Sequence, residues 1–242
     1  MTDVSRLALP TGLSMAYRFA DGRMPAIVFL PGYMSDMSGS KAQAVMAWAQ
    51  AEGRACLLLD YTGCGQSDGE FQHGSLSKWR DEVVTLVEHL KLDAVQLVGS
   101  SMGGWLMLLV AEALGERAKA MIGIAPAPDF TEWGLSQSQR IELAAGRTIF
   151  EDNPYGPDRT PTHALFWSDG ERNKRLSGGV AFDGPVRLLH GQEDRDVPWD
   201  ISLRLAAAMR SADVQVHLIK DGDHRLSRTS DIALLLRELA GL

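Results

Sequence analysis

Gly99-Ser100-Ser101-Met102-Gly103 follows the apolar run Ala94-Val95-Gln96-Leu97-Val98 and opens a second one, Trp105-Leu106-Met107-Leu108-Leu109-Val110-Ala111. That order reads as strand, tight turn, helix, with a serine at the centre of G-x-S-x-G. The glycines let two backbone segments pass close together at a strained turn. Such an elbow holds the Ser101 hydroxyl out at the top of a sheet, and the helix N-terminus behind it favours negative charge nearby. Ser101 is therefore the candidate nucleophile.

Outward from the elbow, strand-like apolar runs alternate with helical patterns, which predicts a mostly parallel sheet with helices on both faces. Residues about 4–19 read as two antiparallel strands around Pro10-Thr11-Gly12. Ala26–Leu30, Ala55–Asp60, Ala94–Val98, Ala120–Ala125, Val186–His190 and Val214–Ile219 read as further strands, eight in all. Helices are expected over about 40–52, 75–91, 199–210 and 226–240. In the second of these, Leu76, Trp79, Val83, Leu86, Val87 and Leu90 recur with the helical period. Residues about 126–182 break the rhythm with five prolines, Pro126, Pro128, Pro154, Pro157 and Pro161. This segment reads as a small helical cap inserted into a single domain covering 1–242, with helices near 135–150 and 161–176.

The chain has 242 residues, 45% hydrophobic and 23% charged, enough for one large core in a soluble domain. Its net charge of −7 leaves no basic stripe for phosphates, so no nucleic-acid partner is expected. Two cysteines, Cys56 in an apolar run and Cys64 in a glycine-rich turn, imply no disulfide framework and no metal-ligand spacing. Asp60-Tyr61-Thr62-Gly63-Cys64-Gly65-Gln66-Ser67 lacks the lysine and Ser/Thr of a phosphate-binding loop and reads as a tight loop. The N-terminus has no signal-peptide pattern and no apolar run is long enough to span a bilayer, so a cytoplasmic location is expected.

A serine hydroxyl needs a base, and the base needs an orienting carboxylate. In a parallel sheet such groups gather at the carboxyl ends of the strands. His190-Gly191-Gln192-Glu193-Asp194-Arg195-Asp196-Val197-Pro198 follows one late strand, and Lys220-Asp221-Gly222-Asp223-His224-Arg225 follows the last. His224 is the candidate base among six histidines, because it alone lies in the loop after the last strand. Asp194 is the candidate acid, with Asp196, Glu193 and Asp223 as alternatives; Asp223 reads as shaping the turn that presents His224. His190 reads as structural, and His163 as a residue of the cap within reach of substrate. The N–H groups of Met102 and Tyr33 are expected to hold an oxyanion, with Met34 the alternative to Tyr33. Trp133, Phe150, Tyr155, Phe166 and Trp167 are expected either to line an acyl pocket or to form the cap's own core, with Trp133, Phe166 and Trp167 the chosen substrate contacts.

Pro31-Gly32-Tyr33-Met34-Ser35, Asp60-Tyr61-Thr62-Gly63, the elbow, Arg187-Leu188-Leu189-His190-Gly191, Val197-Pro198-Trp199 and Asp223-His224-Arg225 resemble one branch of the α/β-hydrolases. The order Ser101, Asp194, His224 matches that fold's Ser…Asp…His order. The resemblance implies a serine hydrolase of esters or thioesters that needs no cofactor or metal, in a branch described as palmitoyl-protein thioesterases and acyl-glucuronide esterases. Animal members of the branch are mitochondrial; this chain shows no such leader and looks like a bacterial relative. The resemblance is weakest in the cap. C–C bond hydrolysis, a peptidase, acyl transfer and a non-catalytic acyl-binding module stay open as alternatives.

Overall fold

The apolar runs become strands of one sheet, and the segments between them become its helical covering. The computed structural model describes residues 3–153 and 156–242; Pro154 and Tyr155 lie outside the described residues. In chain order the elements are β1 (Ser5–Ala8), β2 (Ser14–Ala20), β3 (Arg23–Leu30), α1 (Ser40–Ala51), β4 (Arg54–Leu59), α2 (Leu76–His89), β5 (Val95–Ser100), α3 (Met102–Leu114) and β6 (Ala118–Ile124). An insertion follows, with α4 (Phe130–Trp133), α5 (Gln137–Ala144), β7 (Ile149–Glu151), β8 (Thr160–Thr162) and α6 (Ala164–Arg172). The sheet then resumes with β9 (Val186–Gly191), α7 (Asp200–Ala208), β10 (Val214–Ile219) and α8 (Thr229–Ala240). Among the described residues no helix is long and apolar enough to cross a membrane.

The eight strands run in the order β1-β2-β4-β3-β5-β6-β9-β10. β1 and β2 pair antiparallel at one edge, β2 is antiparallel to β4, and every other neighbouring pair is parallel. Successive side chains of a strand point to opposite faces, and the core divides accordingly. Val28, Leu30, Leu57, Leu59 and Leu97 pack with α2, α3 and Leu205 of α7. Ile27, Phe29, Cys56, Leu58 and Val98 pack with Val45 and Met46 of α1 and Leu235 and Leu239 of α8. On α2 the predicted apolar stripe is buried at Leu76, Trp79, Val83, Leu86 and Val87, and the Ser75 side chain caps the helix by accepting from the Lys78 N–H. α3 is buried on nearly every side from Met102 to Ala111, which accounts for the apolar sequence of that stretch.

From β3 the chain crosses to β4 on one side, and β5 returns to the other side of β3. The strand order therefore reverses between β3 and β5, and the loops leaving their carboxyl ends diverge to open a crevice. The register pairs Leu30 with Gly99, so the turn after β3 lies beside the turn after β5. α3 then starts hard against β3. A Cβ on Gly103 would lie 2.1 Å from the Leu30 carbonyl oxygen, and one on Gly99 would lie 2.3 Å from the Gly103 carbonyl oxygen.

The insertion differs from the helical cap expected of it. α5 stops at Ala144, with Gly146 just beyond at φ 80°, and α6 begins only at Ala164. Between them β7 and β8 pair antiparallel, Ile149 opposite Thr162 and Phe150 opposite Pro161. Ile149, Phe150, Thr160 and Thr162 are β-branched or aromatic residues that suit a strand, and Pro161 lacks the donor a helix would use. Asp129 fastens the two ends of the insertion together, its carboxylate accepting from the Arg175 and Leu176 N–H groups at 2.8 Å each. α6 is moored to α2 through Asp169, which accepts from the Ser77 N–H at 2.7 Å and the Ser77 hydroxyl at 2.9 Å.

The close crossing of α3 over β3 sets a stability test. Gly103→Ala is expected to cost about 1–3 kcal/mol, a fall of several degrees in Tm. Gly178→Ala, where an added Cβ meets nothing within 4 Å, is expected to stay within about 0.5 kcal/mol of the parent. Thermal unfolding of both variants checks the pair, and equal Tm values would remove this crossing as a packing constraint.

Candidate active site

Ser101 sits at φ 55° and ψ −120°, a backbone conformation that side chains rarely adopt. Three backbone bonds hold it there: its N–H donates to the Ile124 carbonyl at 2.9 Å, and its carbonyl accepts from the Gly104 N–H at 2.8 Å and the Ala127 N–H at 3.0 Å. Its side chain makes no cap bond to α3. The Oγ instead lies 3.1 Å from His224 Nε2.

His224 Nδ1 lies 2.8 Å from Asp194 Oδ2. A carboxylate only accepts, so the imidazole carries its proton on Nδ1 and leaves Nε2 to accept the Ser101 hydroxyl. The Asp194 side chain is fully buried, whereas His224 is 15% exposed and opens on the crevice. Asp194 Oδ1 accepts from the N–H groups of Asp196 at 2.9 Å and Val197 at 2.8 Å. Burial alone would raise the Asp194 pKa, but hydrogen bonds from His190 and His224, the His224 charge and the Val197 N–H outweigh it and hold the carboxyl well below the usual carboxylate range. Of the other acid candidates, Asp223 accepts from the Leu226 N–H at 3.0 Å and so shapes the His224 turn. Asp194, Asp196 and His224 bring ligand-type atoms within 4.8 Å of one another, although those of Asp194 and His224 are engaged in the bonds just described.

The loops carrying Asp194 and His224 are bonded to each other. The Glu193 N–H donates to the Gly222 carbonyl at 2.9 Å, and the Gln192 N–H to the Ile219 carbonyl at 2.8 Å. From α1, the Lys41 amine donates to the Arg225 carbonyl, one residue beyond His224. Burial, and then the Arg225 charge, push the Lys41 pKa down to about 8. His190 is where the sequence reading fell short. It is buried as expected of a structural residue, yet its Nε2 reaches Asp194 Oδ2 at 3.2 Å. The signal was its place at the end of β9, four residues before Asp194.

After β3, the Ser35 N–H donates to the Gly32 carbonyl at 3.1 Å, closing a turn with Met34 at φ 54° in its third position. This geometry is of the type II class, which leaves the Tyr33 N–H outside the turn's own bond. Tyr33 and Met102 both face the same cavity as Ser101 and His224. The Tyr33 ring meets Phe71 and Phe166 edge-on, with centroids 4.9 Å away in each case, and its hydroxyl donates to the Pro161 carbonyl at 3.0 Å.

The cavity has a volume of about 670 Å³, within the range of small-molecule sites. Phe130, Trp133 and Leu135 of the insertion give it apolar wall, while Lys41, Arg225 and Ser227 line it beside His224. Trp133, one of the expected substrate contacts, is among the residues that line the cavity. Phe166 and Trp167 are not among the lining residues. Phe166 is buried behind the wall, its ring centroid 5.6 Å from Phe130 and 5.8 Å from Trp79, and Trp167 packs on Leu135, Leu143 and Ile149. Phe150 is 53% exposed, and the His163 Nδ1 bonds the Thr148 hydroxyl at 2.9 Å. Phe130, which the sequence reading passed over, lies between Pro128 and Trp133 and turns inward with α4.

An eight-stranded sheet with a serine elbow at its switch point defines a class of enzyme, the α/β-hydrolases, and the chain belongs to the alpha/beta hydrolase family, whose profile matches residues 27–234. It is a hydrolase. It is 36% identical over 244 residues to palmitoyl-protein thioesterase ABHD10, mitochondrial, of Homo sapiens, a match spanning 97% of this chain and 78% of that protein. Among solved structures, alpha/beta hydrolase domain-containing protein 10 from mouse superposes with a TM-score of 0.91 at 36% identity, over 99% of this chain and 97% of that one. A putative hydrolase from Agrobacterium vitis S4 matches equally in shape, with a TM-score of 0.91 at 33% identity over 100% and 98% of the two chains.

The buried carboxylate makes stability depend on pH with a definite sign. The folded pKa of Asp194 lies below the unfolded value of about 3.9. Between the two values the unfolded chain binds a proton that the folded chain does not, so stability rises with pH across that window and is lost as pH falls through it. Asp194→Asn is expected to flatten the acid side of the stability curve, read by thermal unfolding below about pH 5. An equally steep fall in the variant would place the lost stability at another group.

Proposed function

We propose that this chain is a serine hydrolase of carboxylic esters or thioesters, with Ser101 as nucleophile, His224 as base and Asp194 as the acid that orients it. The observation that carries the reading is the hydrogen-bonded row from Ser101 Oγ to His224 Nε2 at 3.1 Å and from His224 Nδ1 to Asp194 Oδ2 at 2.8 Å, opening on a closely lined cavity. Ser101 Oγ attacks the acyl carbon while His224 Nε2 takes its proton. The N–H groups of Met102 and Tyr33 hold the oxyanion of the tetrahedral intermediate, each such donor being worth about 10²–10³ in rate. Collapse expels the leaving group, which takes the proton back from His224. Water then attacks the acyl-enzyme with His224 again as base, and the second collapse frees the acid and restores the Ser101 hydroxyl.

Because His224 delivers the proton, the leaving group lies on its side of the cavity, beside Arg225, Ser227 and Lys41. The acyl group is then left to Phe130, Trp133 and Leu135, a wall that suits an apolar chain. The similarity to the human palmitoyl-protein thioesterase supports the thioester side of this reading.

Initial rates on matched esters and thioesters, from acetyl to palmitoyl, test the reading. Ser101→Ala is expected to lose both turnover and stoichiometric labelling by an organophosphonate that labels the parent. Trp133→Ala is expected to lower kcat/KM about tenfold for the preferred chain and less for acetyl. An unlabelled parent would sink the nucleophile assignment, and turnover confined to C–C or peptide substrates would favour those chemistries on the same residues.

A further inference from the structure

Asp194 stands between two imidazoles. His190 leaves the end of β9 with its side chain fully buried, and its Nε2 lies 3.2 Å from the same Oδ2 that His224 meets from the other side. The same Nε2 lies 3.1 Å from the Val197 carbonyl oxygen, and Nδ1 lies 2.7 Å from the Ser202 hydroxyl on α7. Val197 O and the carboxylate only accept, so the ring proton sits on Nε2 and is shared between them; Nδ1 then accepts from the Ser202 hydroxyl. Every polar atom of this ring is bonded, and the ring has no contact with the cavity.

We propose that His190, its proton held on Nε2 by the Asp194 carboxylate and the Val197 carbonyl, is a positioning residue that acts on the reaction through Asp194. The inference rests on the triad reading given above. Its physical content is a division of one negative charge. Oδ1 is held by the Asp196 and Val197 N–H groups, and Oδ2 is shared between His190 and His224. A donor on Oδ2 fixes the direction of its remaining lone pair toward His224. It also draws off part of the charge that would otherwise hold a proton on the His224 ring. His190 thus keeps the base in place and keeps it from binding its proton too tightly to pass it on.

The other charged groups around the row are Asp196 on the acid loop, Asp223 and Arg225 flanking His224, and Lys41 facing them from α1. All are unchanged in the variants below, so they set the starting position of the pH profile and not its displacement. Lys41, with its pKa near 8, bears on the alkaline limb, so the acid limb is the one to read.

His190→Leu removes the donor and keeps an apolar body in the site. The expected result is a kcat loss of between about tenfold and a hundredfold, with the acid limb of kcat/KM displaced upward by roughly one pH unit. His190→Gln retains an N–H at the reach of Nε2 and is expected to bring the limb back toward the parent. Ser202→Ala, which removes the donor to Nδ1 and so loosens the ring, is expected to move the limb the same way by less. A folded His190→Leu with lower rate but an unmoved limb overturns the proposal and leaves His190 a packing residue. If the leucine variant does not fold, His190→Met, which likewise has no donor for Asp194, decides: an unmoved limb there overturns it. Phosphonate labelling of the parent at Ser101 is run alongside. Its failure would strike the triad reading, whereas normal labelling with an unmoved limb strikes only the role of His190.

Discussion

The structure turns on how closely α3 crosses β3. The carbonyl of Leu30 leaves no room for a side chain at 103, and the carbonyl of Gly103 leaves none at 99. With both ends of the turn pressed against backbone, the residue between them has little choice of conformation. Ser101 is held at positive φ with its N–H committed to the end of β6 and its C=O to the first turn of α3 and the loop after β6, and its side chain is turned away from the helix it precedes. The crossing occurs where the strand order reverses, so the strained residue is delivered into a crevice that the sheet topology has already opened. Local strain and global topology act here on the same atom.

The charge balance of the site follows from burial. A carboxylate at Asp194, shut off from water, is tolerated because four donors surround it, two from its own loop backbone and two from imidazoles. Neither imidazole could be exchanged for the other. His224 is partly exposed and has one nitrogen free for the serine, while His190 is enclosed and has both nitrogens occupied. The same residue type thus serves opposite ends in one row, a difference set by what surrounds each ring and not by its chemistry alone.

Much of this was legible in the sequence because the sheet repeats a simple rule. Strands buried on both faces read as apolar runs, helices that cover them read as stripes, and their loops carry the polar residues whose order matches the elbow at Ser101. The insertion obeys no such period. Its strands are three residues each, too short to show alternation, and its helices take their direction from Asp129 and Asp169, buried carboxylates whose partners lie far away in the chain. For the same reason Phe166 and Phe130 look alike in sequence, though one faces the cavity and the other backs the wall. The sequence reads His190 as structural from its place at a strand end just before the acid loop; its nearness to Asp194 hints at their contact, but the bond itself depends on how the loop folds back.

Tyr33 joins two parts of the molecule that would otherwise be free to diverge. Its backbone belongs to the turn after β3, and its ring and hydroxyl are lodged against Phe166 and the carbonyl of Pro161 in the insertion. The segment that shapes the cavity is therefore wedged against the very turn that faces the same cavity as Ser101. A change to the insertion that removes the rest for that ring or the acceptor for that hydroxyl is therefore felt at the turn after β3. The shape of the cavity and the geometry of the turn after β3 are in this chain a single problem.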